Sequence, residues 1–121
     1  MLSALPFLLE QYKAAWEAHD VQVLELIFTD DIVYQEKPGV IFRGLRELTN
    51  YWHENKEKQR EVQFRILRYI QDGDQLVAEW EADFRHLVKE KVIHLSGMMW
   101  LSLQNGKIAN FKEFFLLSAS S

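Results

Sequence analysis

A chain of 121 residues with 48% hydrophobic and 26% charged positions carries enough apolar material for one self-sufficient core, and it reads as a single domain over residues 1–121. The formal charge of -4 comes without a basic block, which argues against nucleic acid as a partner, and the absence of cysteine excludes disulfides, thiolate nucleophiles and Cys-based metal sites. No apolar run approaches the ~20 residues that a bilayer-spanning helix needs. The run Leu5 to Leu9 lacks the basic flank and cleavage site of a secretory leader, so no membrane association and a cytoplasmic location are expected.

Leu5, Leu8, Leu9, Tyr12, Ala15 and Trp16 recur at helical spacing and predict a first helix over residues 5–18. Asp20 is the N-cap of a second, shorter helix that presents Val21, Leu24, Ile27 and Phe28 on one side and ends at Asp30-Asp31. Ile32 to Glu36 alternates as a strand up to a turn at Pro38-Gly39, where proline offers no N–H and glycine permits positive φ. A short segment, Val40 to Phe42, follows. Gly44 then opens a third helix with Leu45, Leu48, Thr49 and Trp52 on one face, running out into the alternating charges of Glu54 to Glu61, a solvated helix end.

The remainder is strand: residues 62–71, 76–87, 92–103 and 108–116. Asp72-Gly73 and Asn105-Gly106 are hairpin dipeptides, so these strands form a sequential antiparallel meander. With Asn105-Gly106 as a two-residue loop, Leu103 pairs with Ile108, Trp100 with Phe111 and Met98 with Glu113. One face then carries Ser96, Met98, Trp100, Phe111, Glu113 and Phe115, together with Trp80, Ala82 and Phe84 of the preceding strand. For His94 and Ser96 to join that face, the loop near Lys89 to Lys91 must hold an odd number of residues, three in this reading. Val77, Leu87, Leu101 and Leu103 then point outward and leave apolar surface that a homodimer would cover.

The order helix, helix, strand, helix, meander, with the local words Tyr12-Lys13-Ala14-Ala15-Trp16, His19-Asp20, Phe28-Thr29-Asp30-Asp31 and Pro38-Gly39, resembles the SnoaL-like and ketosteroid-isomerase-like proteins of the nuclear transport factor 2 superfamily. The resemblance covers nearly the whole chain. It implies an α+β cone, three N-terminal helices packed on a curved, mainly antiparallel sheet around an internal cavity, and it implies dimers. Carried over residue by residue, the isomerase's oxyanion-donating tyrosine falls on Tyr12 and its general-base aspartate on Glu36. Where the isomerase has a second donor, a protonated aspartate, this chain has Met98 or Met99, and neither can donate. Glu113 on the last strand falls at a cavity-facing position and offers a replacement acid.

Each candidate has a structural reading beside the functional one. Glu36 is a desolvated general base among Tyr34, Phe42 and Trp52, or a turn residue before Lys37-Pro38-Gly39. Glu113 between Phe111 and Phe115 is a buried acid, or a carboxylate exposed by a shifted register or paired with a neighbour such as His94 or Tyr12. Tyr12 is an oxyanion donor, or a packed aromatic. Trp16, Tyr34, Trp52, Trp80, Met98, Trp100, Phe111 and Phe115 are expected to bind a small, largely apolar ligand. Core packing explains each of them singly. His86, His94 and Glu113 would complete a two-histidine, one-carboxylate metal site only if they met across neighbouring strands, and no HxH or HxxxE spacing supports that. No metal and no cofactor are expected. Three functions stay open: acid–base chemistry on a small carbonyl compound, ligand binding without chemistry, and a dimeric interaction domain.

Overall fold

The computed structural model describes residues 6–37 and 39–120; Leu5 of the first predicted helix and Pro38 of the predicted turn lie outside them. Helix α1 spans Phe7–Ala18 and buries Leu9, Tyr12 and Ala15. His19 ends it in the left-handed region at φ 50°, and its backbone N–H returns to the last carbonyls of the helix. The Asp20 side chain accepts from the Gln22 N–H at 3.2 Å and so caps the turn that follows, as its sequence predicts. That element is a single 3₁₀ turn, Val21–Val23, leading into one α-turn, α2, Leu24–Ile27.

Phe28, expected in the helix, already has extended dihedrals and opens strand β1, Phe28–Lys37, so Asp30 and Asp31 lie inside a strand and do not end a helix. The backbone then turns through Gly39, whose N–H donates to the Glu36 carbonyl at 2.6 Å, into β2, Ile41–Arg43. Gly44 at φ 86° opens helix α3, Leu45–Lys58, which buries Leu48 and Trp52. Strands β3 (Gln59–Asp72), β4 (Gln75–His86), β5 (Lys91–Gln104) and β6 (Lys107–Ser120) form the antiparallel meander.

One mixed sheet holds all six strands in the order β2-β1-β6-β5-β4-β3, with β1 and β6 paired in parallel and every other pair antiparallel. The helices cover one face, and Leu9, Ile27, Phe28, Leu48, Phe64, Trp80 and Phe111 make up the centre of the core between them. The fold is the expected α+β arrangement of three helices on a curved sheet.

The register of β5 differs from expectation, for two local reasons. His86 pairs with Lys91, so the β4–β5 loop holds residues 87–90, an even number. At the other hairpin Asn105 and Gly106 both take positive φ, 52° and 79°, as a type I′ turn requires, and Leu103 pairs with Ile108 as predicted. The next pair is Ser102 with Asn110, however, which leaves Ala109 as an unpaired bulge. A one-residue slip reverses every side chain beyond it. Trp100 therefore lies opposite Lys112 and Met98 opposite Phe114, and it is Met99 that faces Glu113.

The inner face of β5 is Gly97, Met99 and Leu101, while Ser96, Met98 and Trp100 point outward. Leu101 is fully buried and Leu103 packs on the core, so neither contributes to the outer apolar surface assigned to them. That surface is made instead by Met98, Trp100, Phe114 and Leu116. Gly97 pairs with Trp80, whose ring lies where a side chain would go: an added Cβ would sit 3.0 Å from Trp80 Cζ2 and would overlap the Phe114 carbonyl oxygen.

Candidate functional site

Two adjacent strands bring the principal polar groups together. Because β1 runs parallel to β6, Tyr34 pairs with Phe111 and Glu36 pairs with Glu113. The Tyr34 and Phe111 rings stack at 4.3 Å between centroids and 4° between planes, and this stack sets the two carboxyl groups side by side one pleat further along the strands. Both line one partly open cavity of about 180 Å³ between the sheet, α1 and α3.

The two carboxylates are held differently. Glu36 is partly exposed and accepts from the Tyr51 hydroxyl at 2.9 and 2.7 Å, one distance to each oxygen; Tyr51 is in turn hydrogen-bonded by Asn55, one helical turn along α3. Glu113 is 6% exposed, and among the described residues it has no hydrogen-bond partner. Burial raises both carboxyl pKa values above the usual glutamate range. For Glu36 the Tyr51 hydrogen bond opposes the rise. For Glu113 the neighbouring Glu36 charge adds to it, so Glu113 is the stronger holder of a proton.

Tyr12 lies at the bottom of the site, fully surrounded by Trp16, Phe28, Trp52, Phe64 and Phe111 at centroid distances of 5.4 to 6.4 Å. The Tyr12 and Tyr34 hydroxyls interact with one another at the cavity wall. Burial, reinforced by the nearby carboxylates, raises the pKa of both tyrosines well above the ordinary phenol value, so they act as neutral donors. At another part of the wall the Gln59 side-chain oxygen Oε1 accepts from Trp16 Nε1 at 3.0 Å and is hydrogen-bonded with His19 Nε2 at 3.1 Å.

Of the residues singled out from sequence, Tyr12, Trp16, Tyr34, Glu36, Trp52, Glu113 and Phe115 line the cavity. Trp80 and Phe111 lie behind it in the core. Met98 and Trp100, 44% and 53% exposed on the outer face, do not reach it, because of the bulge at Ala109 and the four-residue loop described above. His94 lies opposite Asp83, with which it is hydrogen-bonded, and not opposite His86; both His94 and Asp83 are on the outer face, away from Glu113.

Sequence reasoning missed Tyr51, Asn55 and Gln59, and gave His19 no place at the cavity. Tyr51 and Asn55 stand four residues apart beside Trp52, so a helical wheel of α3 that includes polar as well as apolar positions would have put both on the cavity side. Nothing in the local pattern marks Gln59, whose position follows from the passage of α3 into β3.

Comparisons with known proteins agree with this architecture. No curated protein sequence matches the chain. Among solved structures, an LEH-like epoxide hydrolase of M. tuberculosis superposes with a TM-score of 0.79 at 16% identity, over 90% of this chain and 80% of that one. A protein of ketosteroid isomerase-like fold from Catenulispora acidiphila, solved in complex with trimethylamine, gives 0.82 at 15% identity, over 91% and 85%. The epoxide hydrolase/cyclase-like enzyme SalBIII, of pyran ring formation in polyether salinomycin, gives 0.78 at 16% identity, over 90% and 88%. These identities establish a shared fold. The SnoaL-like domain model matches residues 9–111, most of the chain, and on that ground the protein belongs to the SnoaL-like family.

Proposed function

We propose that this protein binds a small, largely apolar carbonyl compound in the aromatic cavity and moves a proton on it, with Glu36 as base and Glu113 and Tyr12 as donors to the carbonyl oxygen. The observation that carries the reading is the register pair Glu36–Glu113 lining one cavity, with only one of the two carboxylates hydrogen-bonded among the described residues. Glu36, whose ionised form the Tyr51 hydroxyl favours, abstracts a proton next to the carbonyl. Charge develops on the carbonyl oxygen, where a protonated Glu113 and the Tyr12 hydroxyl donate hydrogen bonds at low dielectric. The logic is that of ketosteroid isomerase, the general model for such pKa tuning. Here a glutamic acid on the last strand would take the place of the aspartic acid that the chain lacks. A cavity of about 180 Å³ suits a ligand slightly larger than benzene, which fills an engineered apolar cavity of about 150 Å³.

The test is proton exchange, which needs no knowledge of the product. Small ketones incubated with the protein in D₂O should gain deuterium next to the carbonyl, followed by proton NMR. Glu36→Gln should lower the rate by about 10²–10⁴-fold. A ligand bound with no exchange above buffer would replace the enzyme with a binding module. The exposed set Met98, Trp100, Phe114 and Leu116 further supports a homodimer through the outer sheet face, since single domains rarely leave so continuous an apolar patch uncovered.

A further inference from the structure

We propose that the cavity is selective for a small organic cation, an alkylammonium group, over a neutral molecule of the same shape. This deepens the reading above by giving the ligand a charge, and it rests on the cavity being a ligand site but not on proton transfer occurring there.

Three features of the wall lead to it. The first is composition. Tyr12, Trp16, Tyr34, Tyr51, Trp52 and Phe115 reach the cavity from α1, β1, α3 and β6, so a group at its centre meets rings on several sides. Ring faces carry the negative part of an aromatic quadrupole, and a cation within about 6 Å of a ring centroid is attracted to it, most strongly where water is excluded.

The second is charge balance. Glu36 and Glu113 are both in the wall, and no lysine or arginine is. Also in the wall are Tyr12, Tyr34 and Tyr51, which are neutral donors, and His19, whose Nε2 is hydrogen-bonded with the Gln59 side-chain oxygen. With one proton shared between the two carboxyl groups, the pair still carries one negative charge, and no lysine or arginine stands in the wall to balance it. A bound monocation balances that charge, whereas a neutral ligand leaves it buried and further desolvated.

The third is the free acceptor. Glu113 is more than nine-tenths buried, lines the cavity and has no hydrogen-bond partner among the described residues. A buried carboxylate without a partner is costly, and it is retained where something else supplies the partner. Burial also raises its pKa, so in the empty site a proton fills that role and a cation would displace it. Cation binding should therefore release protons and tighten as pH rises.

Choline and 3,3-dimethylbutan-1-ol make the decisive probe pair, because they share one shape and differ in a quaternary nitrogen against a quaternary carbon. Each has seven heavy atoms, about the size the cavity admits. Isothermal titration of the full chain with both should show choline binding at least about tenfold more tightly. The preference should grow with pH and should collapse to less than about twofold in Glu113→Gln combined with Glu36→Gln. If the alcohol binds as well as choline, or the double variant keeps the preference, the inference fails while the carbonyl reading stands on its exchange assay. If neither probe binds, this inference fails, and the carbonyl reading fails with it only if exchange is also absent. Circular dichroism of the double variant checks its fold. Should it not fold, the choline-to-alcohol ratio of the wild type and its pH dependence decide alone.

Discussion

The two faces of the β5–β6 hairpin share one backbone and are almost equally apolar, yet they have opposite fates. Met99, Leu101 and Phe111 are at most 1% exposed, whereas Trp100, Phe114 and Leu116 of the same two strands are 53%, 52% and 80% exposed. The inner face also buries a carboxyl group, Glu113, while the outer face leaves a tryptophan in water, its Nε1 bonded to Gln75 at 2.7 Å. Hydrophobicity alone would have arranged these residues the other way. Register decides, and a buried glutamate kept against that gradient points to use of the inner face, just as an exposed tryptophan kept against it points to use of the outer one.

The widest gap between the faces should appear in stability. Trp80→Ala, which removes a fully buried ring packed on Gly97, should cost about 3–5 kcal/mol in urea unfolding. Trp100→Ala should cost under about 1 kcal/mol of protomer stability and act instead on association, shifting sedimentation toward monomer. Equal losses at the two sites would mean that the faces are not distinct.

Next in size is the buried acid. The native pKa of Glu113 lies above its unfolded value near 4.5, so the folded state holds the proton more tightly. Its contribution to stability is complete below that unfolded value and is lost as pH rises through the elevated native one. Glu113→Gln should therefore gain on the order of 1–3 kcal/mol at pH 7 and flatten the pH dependence of unfolding. A loss at pH 7 would show instead that the carboxylate has a stabilising partner. A smaller effect than that of Glu113→Gln belongs to Tyr51→Phe. Without its donor, Glu36 loses the one interaction that opposes its rise, so its carboxyl pKa moves further up, at about 1–2 kcal/mol in stability. An unchanged Glu36 titration in that variant would remove Tyr51 from the site.

Much of this was legible in the chain. Apolar spacing gave α1 and α3, Asp20 gave the cap, and the Asn105-Gly106 dipeptide gave the turn type and the Leu103–Ile108 pair. Tyr12, Glu36 and Glu113 came from the resemblance and do meet at one cavity, although the family match ends at residue 111, before Glu113. What was not legible hangs on single residues. Ala109 has no feature that marks a bulge, and nothing in residues 87–90 fixes an even loop, yet together they turn Met98 and Trp100 out and Met99 in. Such parity is set by how the whole sheet closes over the helices, not by local preference. Tyr51 was hidden for a different reason. Its importance lies in a hydrogen bond between elements 15 positions apart, which no periodicity encodes.

The central claim is that Glu36 and Glu113 form one coupled site that shares a proton, and carboxyl-carbon NMR against pH tests it most directly. In the wild type at least one of the two should titrate well above the ordinary glutamate range, with Glu113 the higher, and Glu36→Gln should bring Glu113 down by removing its neighbour's charge. If both titrate at ordinary values, or Glu113 does not move in the variant, the pair is not a site and the proton-transfer reading falls.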